Sequence, residues 1–305
     1  MSRPKPAWRP PMRDGVSASR VATPSGPWPT LLDFLAERLP LVTRDDWHTR
    51  LAAGEVLDAQ GAPIAADAPF RAQATLWYWR HLAAEPEIPF EETLLHQDDH
   101  LVIVDKPHFL PMTPKGRYVR QTLLVRLKQR LGLETLVPLH RLDRETAGVV
   151  AFGVRPEERP AYQALFRDRA VEKVYEAIAP WRDDIALPRT EATRLVERDG
   201  EAFMQMVAVP GEPNAFTRIE RIERRGGWAR YRLTPHTGRK HQLRAQMSAL
   251  GLPLLGDRLY PVLQPVEPVP DFMQPLRLLA RRLAFDDPVT GERRCFESQR
   301  TLAWP

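Results

Sequence analysis

The feature that most constrains the fold is a run of short segments after residue 92 in which apolar and polar side chains alternate. Such alternation indicates half-buried strands, and a short apolar run such as GVVAFGV (148–154) indicates a fully buried one. Only three segments in this region have helical spacing, namely 119–132, 157–170 and 238–251. The other predicted strands lie in 93–107 (a pair around a DD turn), 171–180, 201–209, 215–223, 229–235, 277–285 and 293–298. Many short strands with few helices predict an α+β fold with a mixed, largely antiparallel sheet.

The predicted sheet is preceded by regions of different composition. Residues 1–29 contain seven prolines and a single acid and lack hydrophobic periodicity, which predicts a disordered basic tail. We expect a small α/β domain over residues 30–83, a linker in the acidic segment AEPEIPFEE (84–92), and a second domain over residues 93–305. Contact of the tail with a phosphate backbone and an inert tail are both left open.

The small domain has the pattern of two helices followed by a small sheet. Helical spacing occurs in TLLDFLAERLP (30–40) and RDDWHTRLAAGE (44–55), and EVLDAQGAPI (55–64) predicts a hairpin. The segment RAQATLWYWR (71–80) predicts a strand whose alternation favours core packing of Trp77, Tyr78 and Trp79 over stacking on bases. In order and length this domain resembles the alpha-L RNA-binding domain, and a purely structural appendage is the alternative.

Composition narrows the partners and the compartment. A net charge of +5 favours a polyanionic partner, nucleic acid first and a membrane surface second. The single cysteine, Cys295, is expected to be a half-buried strand residue, and one cysteine excludes a CxxC site. No apolar window approaches the length of a membrane-spanning helix, and the N-terminus lacks the apolar region of a secretory signal. We therefore expect a cytoplasmic protein.

The common motifs of cofactor and metal chemistry are absent from the sequence. It contains no GxGxxG or GxxxxGK[ST] to cradle a phosphate, no HExxH and no GxSxG. We therefore expect activity without a cofactor and without a metal.

One candidate for chemistry is HRLDRETAG (140–148), where Asp143 lies between Arg141 and Arg144 ahead of a buried strand. Neighbouring cations favour the ionised form of a carboxylate, and an ionised carboxylate can act as a nucleophile or a base. The alternative is a turn acid that pairs with a surface arginine.

A second cluster lies at the start of a predicted helix in LTPHTGRKHQLRAQ. On a helix, residues three or four apart share a face, and arginine is suited to bidentate pairing with a carboxylate or a phosphate. The two clusters could meet across a cleft, and a solvated basic face is the alternative. The cluster consists of Arg239, Lys240, His241, Gln242 and Arg244.

Four segments in matching order resemble the RluA-type pseudouridine synthases. HRLDRETAG resembles the signature HRLDxxTSG, and DKPHFLPMTPKG, KVYEA and TGRKHQLR…GLPLLGDRLY resemble the other motifs of this family. The resemblance covers about residues 93–300. It implies an enzyme that isomerises specific uridines to pseudouridine in structured ribosomal or transfer RNA, without cofactor or metal, and we expect a monomer.

The resemblance also implies roles for single residues. Asp143 matches the essential aspartate, Arg141 the arginine that holds the target nucleotide out of the helix, and Tyr175 the tyrosine that stacks near the uracil. Arg244 matches the arginine that pairs with the aspartate. The residues expected to contact substrate or RNA are Arg141, Arg144, Arg239, Lys240 and Gln242. His140 and His241 are expected to be structural hydrogen-bonding residues.

Three positions depart from the family pattern. Ala147 replaces a serine, Gln246 a histidine and Leu279 a histidine, and we expect activity to survive the first change.

Two other functions compete with the enzyme. A non-catalytic RNA-binding or ribosome-assembly protein on the same fold is the main alternative function. A binder of membrane surfaces or acidic proteins rests on net charge alone.

Overall fold

The computed structural model describes residues 8–82, 85–198, 205–265 and 271–305, and these form two compact units. The first unit contains the described residues up to Glu85 together with Val125–Glu134. The second contains Pro86–Leu124 and Thr135–Pro305. The units differ from the predicted domains chiefly in the segment 125–134, which belongs to the first unit.

The first unit combines two helices with a three-stranded antiparallel sheet in the order β1-β3-β2. Thr30 begins the first helix with a capping box, because its side chain accepts from the Asp33 N–H while Asp33 returns a carboxylate to the Thr30 N–H. The predicted helices and strands of this region are therefore present. Their bounds are β1 Ser19–Ala22, α1 Leu31–Arg38, α2 Arg44–Ala52, β2 Val56–Leu57 and β3 Thr75–Tyr78. The resemblance to the alpha-L domain stays a prediction.

Aromatic side chains fill the core of this unit. Trp47 and Leu35 are fully buried between the two helices and the sheet. Trp77 and Trp79 are also buried and pack with Ala18. The predicted core packing of these two tryptophans is confirmed.

The prediction of a disordered tail is wrong for the described residues 8–29. Strand β1 lies inside that segment and pairs antiparallel with β3. The Arg13 guanidinium lies 3.5 Å from the ring centroid of Trp79, whose indole N–H donates to the Pro11 carbonyl. The prolines interrupt helical and strand periodicity in the sequence, but the pairing of β1 and the contacts with Trp79 hold the segment in the structure. Residues 1–7 lie outside the described residues.

The second unit is built on one eleven-stranded sheet, which confirms the predicted α+β class with a mixed, largely antiparallel sheet. Nine strands follow the order β10-β9-β11-β12-β8-β13-β7-β5-β4, while β14 pairs with β13 and β6 with β7. The strands are β4 Thr93–Gln97, β5 Leu101–Lys106, β6 Val137–Pro138, β7 Ala147–Gly153, β8 Glu172–Pro180, β9 Arg189–Glu197, β10 Met206–Val209, β11 Ala215–Arg225, β12 Trp228–Pro235, β13 Leu278–Asp286 and β14 Arg293–Glu297.

Three short helices occur between the strands of this sheet in the sequence. They are α3 Leu123–Leu131, most of which belongs to the first unit, α4 Arg159–Arg167 and α5 Gln242–Ala249. All three correspond to the segments with helical spacing. In the described part of the chain, no helix is long and apolar enough to cross a bilayer.

Strand β7 lies inside the sheet, which explains its apolar sequence. All seven of its residues are buried, with β5 antiparallel on one side and β13 parallel on the other. Its first residue, Ala147, lies opposite Leu279 on β13, and both side chains are fully buried. The two departures from the family pattern at these positions therefore meet each other in an apolar contact. The loop that carries Asp143 ends where this rigid strand begins.

The sequence did not reveal β9. Its sequence, RTEATRLVE, is mostly polar, and among its residues only Leu195 is buried. The strand is nevertheless held between β10 and β11 by backbone pairing, which leaves no mark on the side-chain pattern. The strand predicted over 201–209 is present as β10, and residues 201–204 lie outside the described residues.

Cys295 lies on a strand as predicted, but its thiol is exposed and not half-buried. On β14 the neighbours Arg294 and Phe296 turn inward, and strand alternation therefore turns Cys295 outward. The Arg282 Nε–H donates to its sulfur at 3.1 Å.

Gly148 is predicted to tolerate no side chain. Its φ is +114°, and a Cβ built on it would lie 2.2 Å from the Ala280 carbonyl oxygen of β13. Gly148→Ala should lower the free energy of unfolding by about 2–5 kcal/mol, measured by chemical denaturation. Gly227→Ala is the matched control, because a Cβ there meets nothing within 4 Å. A loss below about 1 kcal/mol for Gly148→Ala would contradict the close approach of β7 and β13.

Candidate active site

A cleft of about 800 Å³ lies within the second unit. Residues from four segments line the cleft together with Leu278. The segments are 111–115, 139–146, 166–175 and 235–244. These segments include parts of all four family-like motifs. The two clusters singled out in the sequence therefore meet across one cleft.

Asp143 lies at the junction of the two clusters. Its Oδ2 accepts from Arg244 Nη1 at 3.2 Å, and its Oδ1 lies 3.7 Å from His241 Nε2. Its side chain is 29% exposed, and it is the only acidic residue in the cleft lining among the residues that the structure describes. The Thr146 N–H donates to the Asp143 carbonyl and closes the turn that leads into β7.

The cation that pairs with Asp143 is not one of its sequence neighbours. Arg144 turns away, donating from Nε to Glu145 at 2.7 Å and from Nη1 to the Tyr118 hydroxyl. Arg141 is exposed at the cleft. The expected pairing of Asp143 with its neighbour Arg144 is therefore wrong, whereas the pairing that the family resemblance implied, with Arg244, is present 101 residues further on.

Arg244 is held in place by Asp257. Its Nε and Nη2 donate to the two oxygens of Asp257 at 2.9 and 2.6 Å, in the bidentate geometry that suits arginine. Only 1% of the Arg244 side chain is exposed. Burial opposes its charge, but the hydrogen bonds and charge of Asp257, followed by the charge of Asp143, raise the pKa of Arg244 above its ordinary value. The guanidinium is a fixed positive charge aimed at Asp143.

Asp257 is a functional residue that the sequence analysis missed. It lies in GDRLY, which was recognised as part of a motif but not assigned a role. Its Oδ1 also accepts from the N–H groups of Leu259 and Tyr260, which fixes the loop that carries it. A fully buried aspartate with this many donors has no freedom to change partner.

Tyr175 reaches the cleft from β8. It packs against the apolar cluster of Ala177, Leu233 and Leu278, whereas its neighbour Glu176 faces the other side of the sheet and pairs with Arg281. Burial, and secondly the charge of Asp143, raise the pKa of Tyr175. Its hydroxyl therefore stays protonated at neutral pH.

Two further residues that the sequence did not single out hold the loop around Asp143. Lys106, in the DKP segment, is fully buried and donates to the carbonyl oxygens of Pro107, Leu110 and Arg144 at 2.8–3.0 Å. Burial lowers the pKa of Lys106 to about 7. His108 Nδ1 donates to the Glu145 carbonyl at 2.7 Å, and burial lowers the pKa of His108 to about 4. Both side chains bind backbone on the C-terminal side of Asp143.

The other predicted contact residues fall into two groups. Arg239 and Lys240 are exposed at the cleft, although Arg239 Nε donates to the Asn214 carbonyl and Lys240 Nζ to Glu197 at 3.1 Å. Gln242 is buried, and its amide is used inside the protein. It accepts from Thr237 and from the Arg239 N–H and donates to Phe216 and Thr217. The geometry makes Gln242 a structural residue, which differs from the predicted contact with RNA.

Gln246 and His140 also have structural roles. Gln246 is fully buried, accepts from the Thr217 hydroxyl and donates to Thr193, and so connects α5 with β9 and β11. His140 Nε2 accepts the Ala151 N–H at 3.1 Å, and burial lowers the pKa of His140 to about 3. The predicted structural role of His140 is confirmed. His241, in contrast, lies beside Asp143.

Five cations in the cleft form no ion pair with any acid in the described ranges. They are Lys115, Arg141, Arg169, Lys173 and Arg239. Lys173 donates to the Thr237 carbonyl at 3.3 Å, and burial, followed by the charge of Arg169, lowers its pKa. Uncompensated cations around a carboxylate suit a polyanionic substrate. Across the described ranges, no three His, Cys, Asp or Glu side chains are grouped to hold a metal ion.

The fold and this cleft define a site for nucleophilic or acid–base chemistry on a polyanion. Comparison with known proteins points to a single family of enzymes. The sequence model of the RNA pseudouridylate synthase family matches residues 100–249. An uncharacterized RNA pseudouridine synthase of Synechocystis sp. is 32% identical, with 75% of this chain and 79% of that protein covered. The dual-specificity RNA pseudouridine synthase RluA of Haemophilus influenzae is 31% identical, with coverage of 68% and 92%.

Solved structures agree with these relatives. Human RNA pseudouridylate synthase domain containing 4 superposes with a TM-score of 0.51 at 28% identity, covering 69% of this chain and 88% of that one. Human RNA pseudouridylate synthase domain containing 1 gives 0.56 at 21% identity, with coverage of 73% and 94%, and supports the fold alone. The chain belongs to the RNA pseudouridine synthases of RluA type, enzymes that isomerise uridine to pseudouridine. The catalytic interpretation is thereby favoured over a binding-only protein.

The Arg244–Asp257 pair predicts a large effect of one substitution. Asp257→Asn should lower the free energy of unfolding by about 3–5 kcal/mol, because a buried guanidinium loses its charged partner. Urea denaturation measures this loss. Asp184→Asn breaks an exposed pair with Arg182 and should leave the midpoint unchanged. Equal midpoints for wild type and Asp257→Asn would show that the pair does not hold Arg244.

Proposed function

We propose that Asp143 is the essential carboxylate of the isomerisation and that the cleft holds a uridine turned out of its RNA. The observation that carries this proposal is the unequal state of the two carboxylate oxygens. Arg244 occupies Oδ2, while Oδ1 has no partner closer than His241 among the residues that the structure describes and belongs to a side chain that reaches the cleft. A carboxylate anchored through one oxygen presents the other to a substrate in a defined direction.

The chemistry explains why the base must leave the helix. In the reaction the N1–C1′ bond of uridine breaks, the uracil turns, a C5–C1′ bond forms, C5 loses a proton and N1 gains one. Stacking hides these atoms, and enzymes that act on a base therefore extrude its nucleotide into a pocket. Asp143 acts at the ribose or at the uracil during bond cleavage, and the volume of the cleft accommodates a nucleotide.

Tyr175 is proposed as the aromatic floor under the uracil. A flipped base is commonly stacked on an aromatic ring, and Tyr175 offers its ring beside Asp143. The raised pKa of its hydroxyl makes Tyr175 a weak base, so its position supports stacking or donation of a hydrogen bond more than removal of the C5 proton.

The cations around the cleft are proposed to bind the RNA backbone on either side of the flipped nucleotide. Arg141 is exposed beside Asp143 and can enter the space that the base vacates. Arg239, Lys240 and Arg144 are proposed contacts because the phosphates on each side of the flipped nucleotide need cations and these three line the cleft. Arg169 and Lys173 join this group because their charges lie in the cleft lining without an acidic partner in the described part of the chain.

The proposed substrate is structured ribosomal or transfer RNA. This follows the relatives, among them a ribosomal large subunit pseudouridine synthase D of Pseudomonas aeruginosa that is 31% identical, with 68% of each chain covered. The same proposal places the enzyme in the cytoplasm as a monomer that acts without cofactor or metal. RNA binding by residues 30–83 is part of the proposal through the alpha-L resemblance.

The proposed function predicts loss of a specific modification in one variant. Asp143→Asn keeps the shape of the side chain and removes its charge, and the target site should stay unmodified, as expected if the rate falls at least about 1,000-fold. The measurement is a pseudouridine map of all cellular RNA in a host strain that lacks this gene and carries wild type or variant. A site that returns with wild type and with the exposed-acid control Asp99→Asn, but not with Asp143→Asn, identifies both target and carboxylate. Restoration by Asp143→Asn would refute the role of Asp143.

The phosphate contacts predict a change in the salt dependence of RNA binding. For single strands the slope of log affinity against log salt is about −0.7 for each phosphate contact, so Arg169→Gln and Lys173→Gln should each reduce its magnitude by about 0.7. Fluorescence anisotropy with the mapped RNA fragment measures the slope. Arg167→Gln is the matched control, because Arg167 lies in the same cleft but pairs with Asp168 at 2.7 Å. Equal slopes for all four proteins would exclude the contacts.

A further inference from the structure

His241 lies where it can act on Asp143, although the family resemblance assigned it no role. It begins α5 in the left-handed region, with φ +51°, a conformation that is uncommon outside glycine. This backbone places the ring between Asp143, 3.7 Å from Nε2, and the Tyr260 hydroxyl, 3.3 Å from Nδ1. The side chain is 11% exposed and lines the cleft.

The hydrogen bonds decide which nitrogen of His241 carries the proton. The Tyr260 oxygen accepts the Met206 N–H at 2.6 Å, and the only acceptor within the described ranges for its own O–H is Nδ1 of His241. If Nδ1 carried the proton, the Tyr260 O–H would have no partner and the Nε2 lone pair would face the Asp143 carboxylate. Both mismatches are removed when Tyr260 donates to Nδ1 and the proton lies on Nε2.

We propose that Tyr260 fixes His241 as a neutral Nε2–H donor directed at Asp143 Oδ1, which makes both of them positioning residues for the isomerisation. The inference rests on the proposed function of Asp143. The carboxylate is then oriented by two donors, the Arg244 guanidinium on Oδ2 and the His241 N–H on Oδ1. At 3.7 Å the contact of the second donor is longer than a hydrogen bond, so Oδ1 is directed by His241 and stays available to the substrate.

A single loop supports both donors. Asp257 holds Arg244, and Tyr260, three residues later, holds His241. The loop is tightened by Asp257, which accepts the N–H of Tyr260 itself. A displacement of this loop would disturb both oxygens of Asp143 together.

Burial favours the neutral form of His241. Burial lowers the pKa of His241, the charge of Asp143 opposes this, and the charges of Arg244 and Lys240 lower the pKa further. A neutral donor orients the carboxylate without neutralising it, so Asp143 keeps its full negative charge for the reaction. The titratable and charged groups that face His241 are Asp143, Lys240, Arg244, Asp257 and Tyr260.

The test compares three variants of the full chain in single-turnover reactions on the mapped RNA, with enzyme in excess. Tyr260→Phe removes only the hydroxyl. His241→Ala removes the donor, and His241→Gln restores an N–H near Nε2 with the same strain at φ +51° as alanine. The readouts are the rate at saturating enzyme, the dissociation constant for RNA, the midpoint of thermal unfolding and the pH dependence of the rate.

We expect Tyr260→Phe and His241→Ala to lower the saturated rate about 3- to 10-fold, the value of one hydrogen bond, with RNA affinity unchanged. His241→Gln should recover most of the rate. In Tyr260→Phe the acid limb of the pH profile should move to higher pH, because the hydrogen bond that favours neutral His241 is lost.

Two results would overturn the inference. Rates within twofold of wild type for His241→Ala would exclude any role of the ring. If His241→Ala and His241→Gln are equally slow, the side chain contributes packing and not a hydrogen-bond donor. If Tyr260→Phe unfolds because the buried Met206 N–H loses its acceptor, the comparison of His241→Ala with His241→Gln still tests the inference. Failure of the proposed function is separate, since it would leave wild type inactive or Asp143→Asn active.

Discussion

The active site depends on one buried guanidinium. Arg244 is almost fully enclosed, and its charge is tolerated only because Asp257 accepts two of its N–H groups and Asp143 a third. Two carboxylates around one guanidinium leave one net negative charge, and Asp143, the exposed member, is where that charge meets the cleft. Stability and chemistry are therefore coupled here, because removing either partner leaves a buried cation insufficiently paired.

The electrostatic design separates an inner site from an outer rim. Inside, Asp143, Tyr175 and His241 form a small group in which the pKa of the tyrosine is raised and that of the histidine is lowered by burial, so both are neutral at pH 7. Outside, the uncompensated cations suit contact with a phosphate backbone, and contacts of that kind specify no sequence. The rim alone therefore explains why such a protein binds RNA, and only the inner group explains why it would alter a uridine.

The sequence predicted the elements whose side-chain pattern determines their structure, and it did not predict those that are held by backbone pairing. In the described part of the chain, apolar alternation and helical spacing predicted all five helices and most strands. They missed β1, β6 and β9, the last of which is a polar strand held by backbone pairing. The motifs brought Asp143, Tyr175 and Arg244 into one cleft as predicted. Spacing could not show that Gln242 is consumed by internal hydrogen bonds. The pairing of Asp143 with Arg244 followed from the family resemblance, whereas the charge pattern around Asp143 suggested its neighbour Arg144, which pairs with Glu145.

The parallel pairing of β7 with β13 sets an order of events during synthesis. The loop of Asp143 leads directly into β7, whose second neighbour lies at Leu278–Asp286. A ribosome therefore has to deliver more than a hundred further residues before that strand is enclosed and the carboxylate has its support. The nascent chain therefore carries the signature motif long before it carries the complete site.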